Sequence, residues 1–153
     1  MQDWTNQHQT AFWLLVFPLF FGALWCVVCA LLSYIGGWAT LANQFRWQSA
    51  FVGDRWRFQS GQMRWNVNYG NCLTVGGNPQ GLYLAVLPLF RFRQPPLLIP
   101  WEEVTVTRRR FLLLQWVRFE LGNELHIPLS IRPKLAERLQ FAAGDRWPVE
   151  RRD

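Results

Sequence analysis

Few residues in this chain are of types that do chemistry, and their spacing decides what that chemistry is. Cys26 and Cys29 have the C-x-x-C spacing of redox and metal sites. No charge or histidine is near enough to lower a thiol pKa, and both cysteines lie inside an apolar run, so they read as small packing residues. Cys72 stands alone. Glu102 and Glu103 form a carboxylate pair, but adjacent strand residues point to opposite faces and cannot share an acid–base site. The histidines are His8, near the N-terminus, and His126, which reads as a surface residue in mid-strand. No Ser or Cys nucleophile motif, glycine-rich phosphate loop or metal-ligand cluster is present. The sequence therefore implies no catalytic residue, no cofactor and no metal, and the chain does not read as an enzyme.

Cationic clusters offer a different chemistry. Arg108-Arg109-Arg110 is the densest and reads as a hairpin tip leading into Phe111 and three leucines. Arg91 and Arg93 flank Phe92, with Phe90 before them and Pro95-Pro96 after. At a bilayer surface such groups attract anionic lipid by about 1 kcal/mol per Arg, and the rings can enter the interface. The competing reading of both is a solvated turn or loop. Arg91, Phe92, Arg93, Arg108, Arg109 and Arg110 are the candidate contacts for a membrane surface or a partner. All sixteen basic residues lie at or beyond Arg46, against nine acids there, for a net charge of +7. Nucleic acid is not the expected partner, because the tryptophans alternate with polar residues as a β core requires.

The element that positions these groups is the apolar N-terminal third. Residues 4–45 contain no Asp, Glu, Lys or Arg. A hydrocarbon core of about 30 Å needs about 20 apolar residues as a helix, so the run is read as a transmembrane helix over residues 11–35. The first ten residues lack the Lys or Arg of a signal peptide, and the run is longer than an h-region of about 7–15 residues. Asp3 precedes the span, whereas Arg46, Arg55 and Arg57 follow it. The positive-inside rule then places the N-terminus outside and the C-terminal domain in the cytoplasm, at the inner membrane. Trp13, Tyr34, Trp38 and Arg46 are expected to anchor at the interfaces. Phe17, Phe20 and Phe21 make one side bulky, either as a face for another helix or as plain lipid-facing surface.

Past the span, Gly36-Gly37 reads as a break. Trp38, Leu41, Ala42 and Phe45 follow at i, i+3, i+4, i+7, the pattern of a short amphipathic helix along the headgroups. Residues 36–55 are thus a juxtamembrane segment and linker. From Trp56 the period is two: Met63, Trp65, Val67 and Tyr69 alternate, with a bulge expected near Gly61. Further strands are expected at 72–75, 82–86, 97–101, 104–107, 111–121 and 125–129, with turns at 76–81 and at Gly122-Asn123. A helix capped by Ser130, with Pro133 in its first turn and Leu135, Leu139 and Ala142 on one face, ends at Gly144. Residues 144–153 read as a polar tail.

About seven strands followed by one helix resemble the pleckstrin-homology-like domains, including their GRAM and bacterial groups. Gly81-Leu82-Tyr83-Leu84 resembles their third strand. Ile99-Pro100-Trp101-Glu102-Glu103-Val104 resembles a recurrent step between strands, and Leu125-His126-Ile127-Pro128-Leu129 resembles the last strand before the capping helix. The resemblance covers residues 56–143 and implies a split barrel, plugged by its helix, that binds lipid headgroups or proteins without catalysis. Lipid-binding members use a basic early loop. Residues 64–71 are not markedly basic, so phosphoinositide-type binding is not carried over. The whole chain also resembles small bacterial single-pass proteins. The expectation is a membrane-anchored binding or scaffolding module, with the bilayer and either anionic headgroups or a membrane protein as partners. The alternative is an accessory subunit of a larger membrane complex, its helix packed on partner spans.

Overall fold

The computed structural model describes residues 3–152. Helix α1 (Asp3–Gly36) is 34 residues long and carries Pro18 inside it without ending there. Its stretch Asn6–Gly36 is long and apolar enough to cross a membrane, with a mean hydropathy of 2.5 in its most apolar window. Residues 11–24 have almost no protein cover, as their uniformly apolar composition allows only if lipid or a partner replaces water.

Gly37 ends α1 in the left-handed region, at φ 87° and ψ 4°, which costs glycine little. Helix α2 (Trp38–Phe45) starts at the next residue. The apolar face read from its spacing is real, but it is not laid on a lipid surface. Trp38 and Leu41 are fully buried in the main core of the β domain, and Ala42 and Phe45 pack against that core. Trp38 is therefore corrected from an interface anchor to a core residue: the turn at Gly37 aims its ring at Tyr69, with ring centres 5.8 Å apart.

Eight strands form one open sheet: β1 (Asp54–Gln62), β2 (Asn68–Asn78), β3 (Gly81–Val86), β4 (Leu97–Pro100), β5 (Val104–Phe111), β6 (Leu114–Leu121), β7 (Ile127–Ile131) and β8 (Glu150–Arg152). Their order is β4-β3-β2-β1-β7-β6-β5-β8. All neighbours are antiparallel except β5 and β8. The eighth strand lies in the stretch read as a polar tail. Alternate residues such as Leu82, Leu84, Phe119, Leu121, Leu129 and Ile131 face one core. Helix α3 (Pro133–Ala143) buries Leu135, Ala136, Leu139 and Ala143 against it, whereas Phe141 remains exposed. Ser130 belongs to β7 rather than to a helix cap. On the opposite face of the sheet, residues 46–53 cross over β3 and β4, and Phe51 stacks on Tyr83 at 4.4 Å.

Two local readings change. Met63, Val67 and Tyr69 are buried as their alternation requires, but Trp65 is 75% exposed. A 3-10 turn at Arg64–Asn66 separates β1 from β2, with Trp65 and Asn66 both at positive φ. The arginine triplet lies on strand β5, not at the hairpin tip; register pairs Phe111 with Leu114, so the tip is Leu112-Leu113.

The junction between α1 and the domain is sterically defined. A Cβ at Gly37 would meet Ile127 Cδ1 at 2.8 Å on a backbone already at positive φ, whereas one at Gly22 would meet nothing within 4 Å. Gly37→Ala is expected to destabilise the full-length protein by about 1–3 kcal/mol, and Gly22→Ala to leave it unchanged, as read by denaturant unfolding in detergent.

Candidate functional site

The most specific non-core arrangement in the chain is a seam between α1 and the segment 87–96 that joins β3 to β4. Trp25, Cys29 and Ser33 recur every four residues, which puts them on one stripe of α1. Each meets the segment. Trp25 Nε1 donates to the Leu89 carbonyl at 3.2 Å, and its ring packs on Phe90 with centres 5.2 Å apart. Gln94 Nε2 donates to the Cys29 carbonyl at 3.2 Å. Ser33 Oγ donates to the Arg93 carbonyl at 2.9 Å. Beyond the Gly37 turn, Trp38 Nε1 donates to the Pro95 carbonyl at 2.9 Å. From Trp25 to Ser33 the segment follows about 12 Å of helix.

Much of the segment's backbone polarity is absent or met within the chain. Pro88, Pro95 and Pro96 carry no N–H. A 3-10 turn at Pro88–Phe90 and the next turn satisfy the amides of Phe90, Arg91 and Gln94 internally. The Leu87 amide donates to Cys72 O, and the Pro96 carbonyl accepts from the Trp47 amide. Gln94 is 1% exposed, and its Oε1 has no partner among the described residues. Arg91, Phe92 and Arg93 project outward from this fixed backbone, with Leu89 70% exposed beside them. Arg93 holds a positive φ of 57°. The segment is thus a strap packed along α1. Trp25, Ser33 and Gln94 were missed as site residues; polar groups at helical spacing inside an apolar run were the available signal.

The other basic cluster is built differently. Arg108 and Glu150 form a two-bond ion pair: Nε to Oε2 at 2.7 Å and Nη2 to Oε1 at 2.9 Å. These bonds hold the Glu150 carboxyl below its ordinary value and raise the guanidinium. The pair fastens β8 in parallel to β5, with Val106 opposite Glu150 and Arg108 opposite Arg152. Arg108, Arg109, Arg110, Trp116 and Arg152 line a shallow cavity of about 380 Å³. Leu112 and Leu113 project beyond it, 83% and 99% exposed.

The remaining predicted residues are not brought to either place. Phe17 and Phe21 stack at 6.4 Å and continue to Trp25 at 6.1 Å, whereas Phe20 is exposed to one side of that stripe. Trp13 and Tyr34 are exposed, 65% and 77%. Arg46 is exposed and bridges by its backbone to Leu97. Glu102 faces Arg146, and Glu103 accepts from the Asn123 amide, so the two carboxylates serve separate partners. His126 sits in the turn ahead of β7 at a φ of 48°, 3.7 Å from Glu120. Burial pushes the Cys72 thiol and the Tyr69 phenol up, away from reactivity at neutral pH. Comparison with protein-family models, curated proteins and solved structures finds no match to this chain.

The clip between Arg108 and Glu150 makes a signed prediction. Because the folded carboxyl titrates below its unfolded value, its stabilising contribution is complete above the ordinary pKa of 4.5 and is lost as pH falls through the folded value. Glu150→Gln is expected to speed amide exchange in 150–152 at neutral pH. It is also expected to reduce the difference in melting temperature between pH 7 and pH 3 relative to the parent protein.

Proposed function

We propose that this chain is a single-pass membrane protein whose β domain is a non-enzymatic binding or scaffolding module seated on the cytoplasmic face of a bacterial inner membrane. The observation that carries the reading is the seam along α1. Non-helical backbone is tolerated at membrane depth only where its polar groups are satisfied by protein. The 87–96 strap meets that requirement, with its carbonyls at Leu89, Arg93 and Pro95 capped by Trp25, Ser33 and Trp38.

Length arithmetic supports a depth for the strap. A span of about 20 residues starting at Phe12 reaches the region of Leu31. Trp25 then lies six residues, about 9 Å, inside the hydrocarbon. The tip at Pro88–Phe90 enters with it, apolar in every side chain, while Arg93 sits level with Ser33 at the headgroups. Arg91 lies between and reaches the same boundary by extending its side chain. Asp3 on one side, with Arg46, Arg55 and Arg57 on the other, supports a cytoplasmic domain.

The fold reading within this proposal is a pleckstrin-homology-like domain. It is supported by seven antiparallel strands in the order β4-β3-β2-β1-β7-β6-β5, followed by α3 over the core. In this reading β8 is an addition to that plan, and the sheet stays open. The accessory-subunit reading has its own support in the stripe Phe17, Phe21 and Trp25, whose upper part has no protein cover. Changing Phe17 and Phe21 to Asn would then release a partner during mild detergent purification, and unchanged co-purification would remove that reading.

Depth tests the main proposal. The full-length protein carrying Leu89→Cys, labelled with a polarity-sensitive dye and placed in lipid nanodiscs, is expected to be quenched by mid-chain nitroxide lipids. A label at Leu113→Cys is expected to be quenched much less, because that hairpin leaves the far end of β5 and β6. Equal exposure of the Leu89 label to an aqueous quencher would refute the seated strap.

A further inference from the structure

On the outer face of the sheet, beside the strap, lies a small cavity of about 170 Å³ on which three arginines converge. Arg55 and Arg57 reach it from β1, and Arg91 reaches it from the strap. Thr74 and Tyr83 contribute a hydroxyl and a ring from β2 and β3, and Ala85 lines it from β3. No carboxylate lines it. None of the three arginines makes an ion pair among the described residues, whereas Arg108, Arg118 and Arg146 all have acidic neighbours.

The backbone is shaped to gather these groups. Trp56 pairs with Val75 and Gln59 with Leu73, so Arg57 and Phe58 together face the single residue Thr74. This bulge holds Phe58 at a φ of 56° and leaves it exposed on the cavity wall instead of in the core. Bulges re-aim side chains in this way. Three like charges converging on one cavity without a counter-charge repel one another unless an anion joins them. Guanidinium forks match the oxygens of a phosphoryl group, which a lone ammonium does not.

We propose that this cavity is a subsite for a phosphoryl group, gripped by Arg55, Arg57 and Arg91 at the boundary where the strap meets the headgroups. The site deepens the membrane-seated reading and rests on it for the lipid as donor of that group. Leu87 and Pro88 form one wall of the cavity. A phospholipid held there would place its headgroup phosphate among the arginines and its acyl chains beside the apolar tip of the strap. A soluble phosphate ester offers the same chemistry from the water side. The Arg108–Arg110 cavity is a weaker candidate, because the Arg108 guanidinium is already committed to Glu150.

The test uses full-length protein in phosphatidylcholine nanodiscs containing a minor fraction of phosphatidylglycerol, with lipid retention measured by native mass spectrometry after detergent extraction. The parent protein is expected to retain phosphatidylglycerol. Each of Arg55→Gln, Arg57→Gln and Arg91→Gln is expected to lower retention roughly fivefold, and the triple variant by about two orders of magnitude. A control with Arg132→Gln, Lys134→Gln and Arg138→Gln loses the same charge beside α3 and is expected to retain the lipid. Equal losses in the two triple variants, or none in either, would overturn the proposal in favour of diffuse attraction or no binding. A second arm titrates detergent-solubilised protein with inorganic phosphate at constant ionic strength. Saturable binding that the cavity variants abolish supports a soluble donor; lipid retention without phosphate binding supports the lipid. If neither donor binding depends on the three arginines, the subsite is refuted. The depth measurement at residue 89 stands or falls separately, because it does not involve them.

Discussion

A peptide group shielded from water must find its partner within the chain, and this constraint organises the contact between the helix and the domain. The strap at 87–96 responds to it by three means at once: prolines that carry no donor, tight turns that use donors internally, and side chains on α1 and α2 that cap three of its carbonyls. Each capping group must be at its own height on the helix, so the rotation and depth of α1 relative to the sheet are fixed together. The core residue Trp38 serves both sides, filling the interior of the β domain with its ring and capping Pro95 with its indole.

Charge follows from that arrangement. The strap is apolar at its tip and basic where it returns, and the outer face of β1 adds two more arginines beside it. At the other end of the domain, the arginines of β5 are partly consumed in fastening β8, and the exposed tip is made of leucine rather than of charge. The two basic regions that look alike in sequence thus have different physical settings. One is unneutralised and adjacent to the helix; the other is a clip.

Elements with strong periodicity were legible. The apolar helix, the alternation in β3, β6 and β7, and the face of α3 all follow from patterns that tertiary packing reinforces. The amphipathic face of α2 was also legible, but not what it faces, because a stripe of Trp38, Leu41, Ala42 and Phe45 fits lipid and a protein core equally well. Turns failed where their chemistry is unusual. Leu112-Leu113 carries no glycine, asparagine or aspartate, yet Leu112 holds a φ of 54°, so nothing local marked the reversal. Trp65 followed the strand alternation while standing in a 3-10 turn. The seam escaped because it joins residues about sixty positions apart, and no local pattern encodes which carbonyl a buried indole will find. The cavity escaped for the same reason: a bulge shifts the register by one residue, and only the folded sheet shows Arg57 turned toward Arg91.

Three attachments along α1 and the packing of α2 on the core join the helix to the sheet on both sides of Gly37. A rod in a bilayer adjusts its tilt to match the thickness of the hydrocarbon around it. With α1 as such a rod, as proposed above, its tilt would be coupled to the domain through those contacts. A change in its angle would then reach the sheet through the 87–96 strap and α2. The glycine pair after the helix, which in sequence looks like a flexible joint, is instead a weld: an added Cβ would meet Val67 and Tyr69 at Gly36 and Ile127 at Gly37.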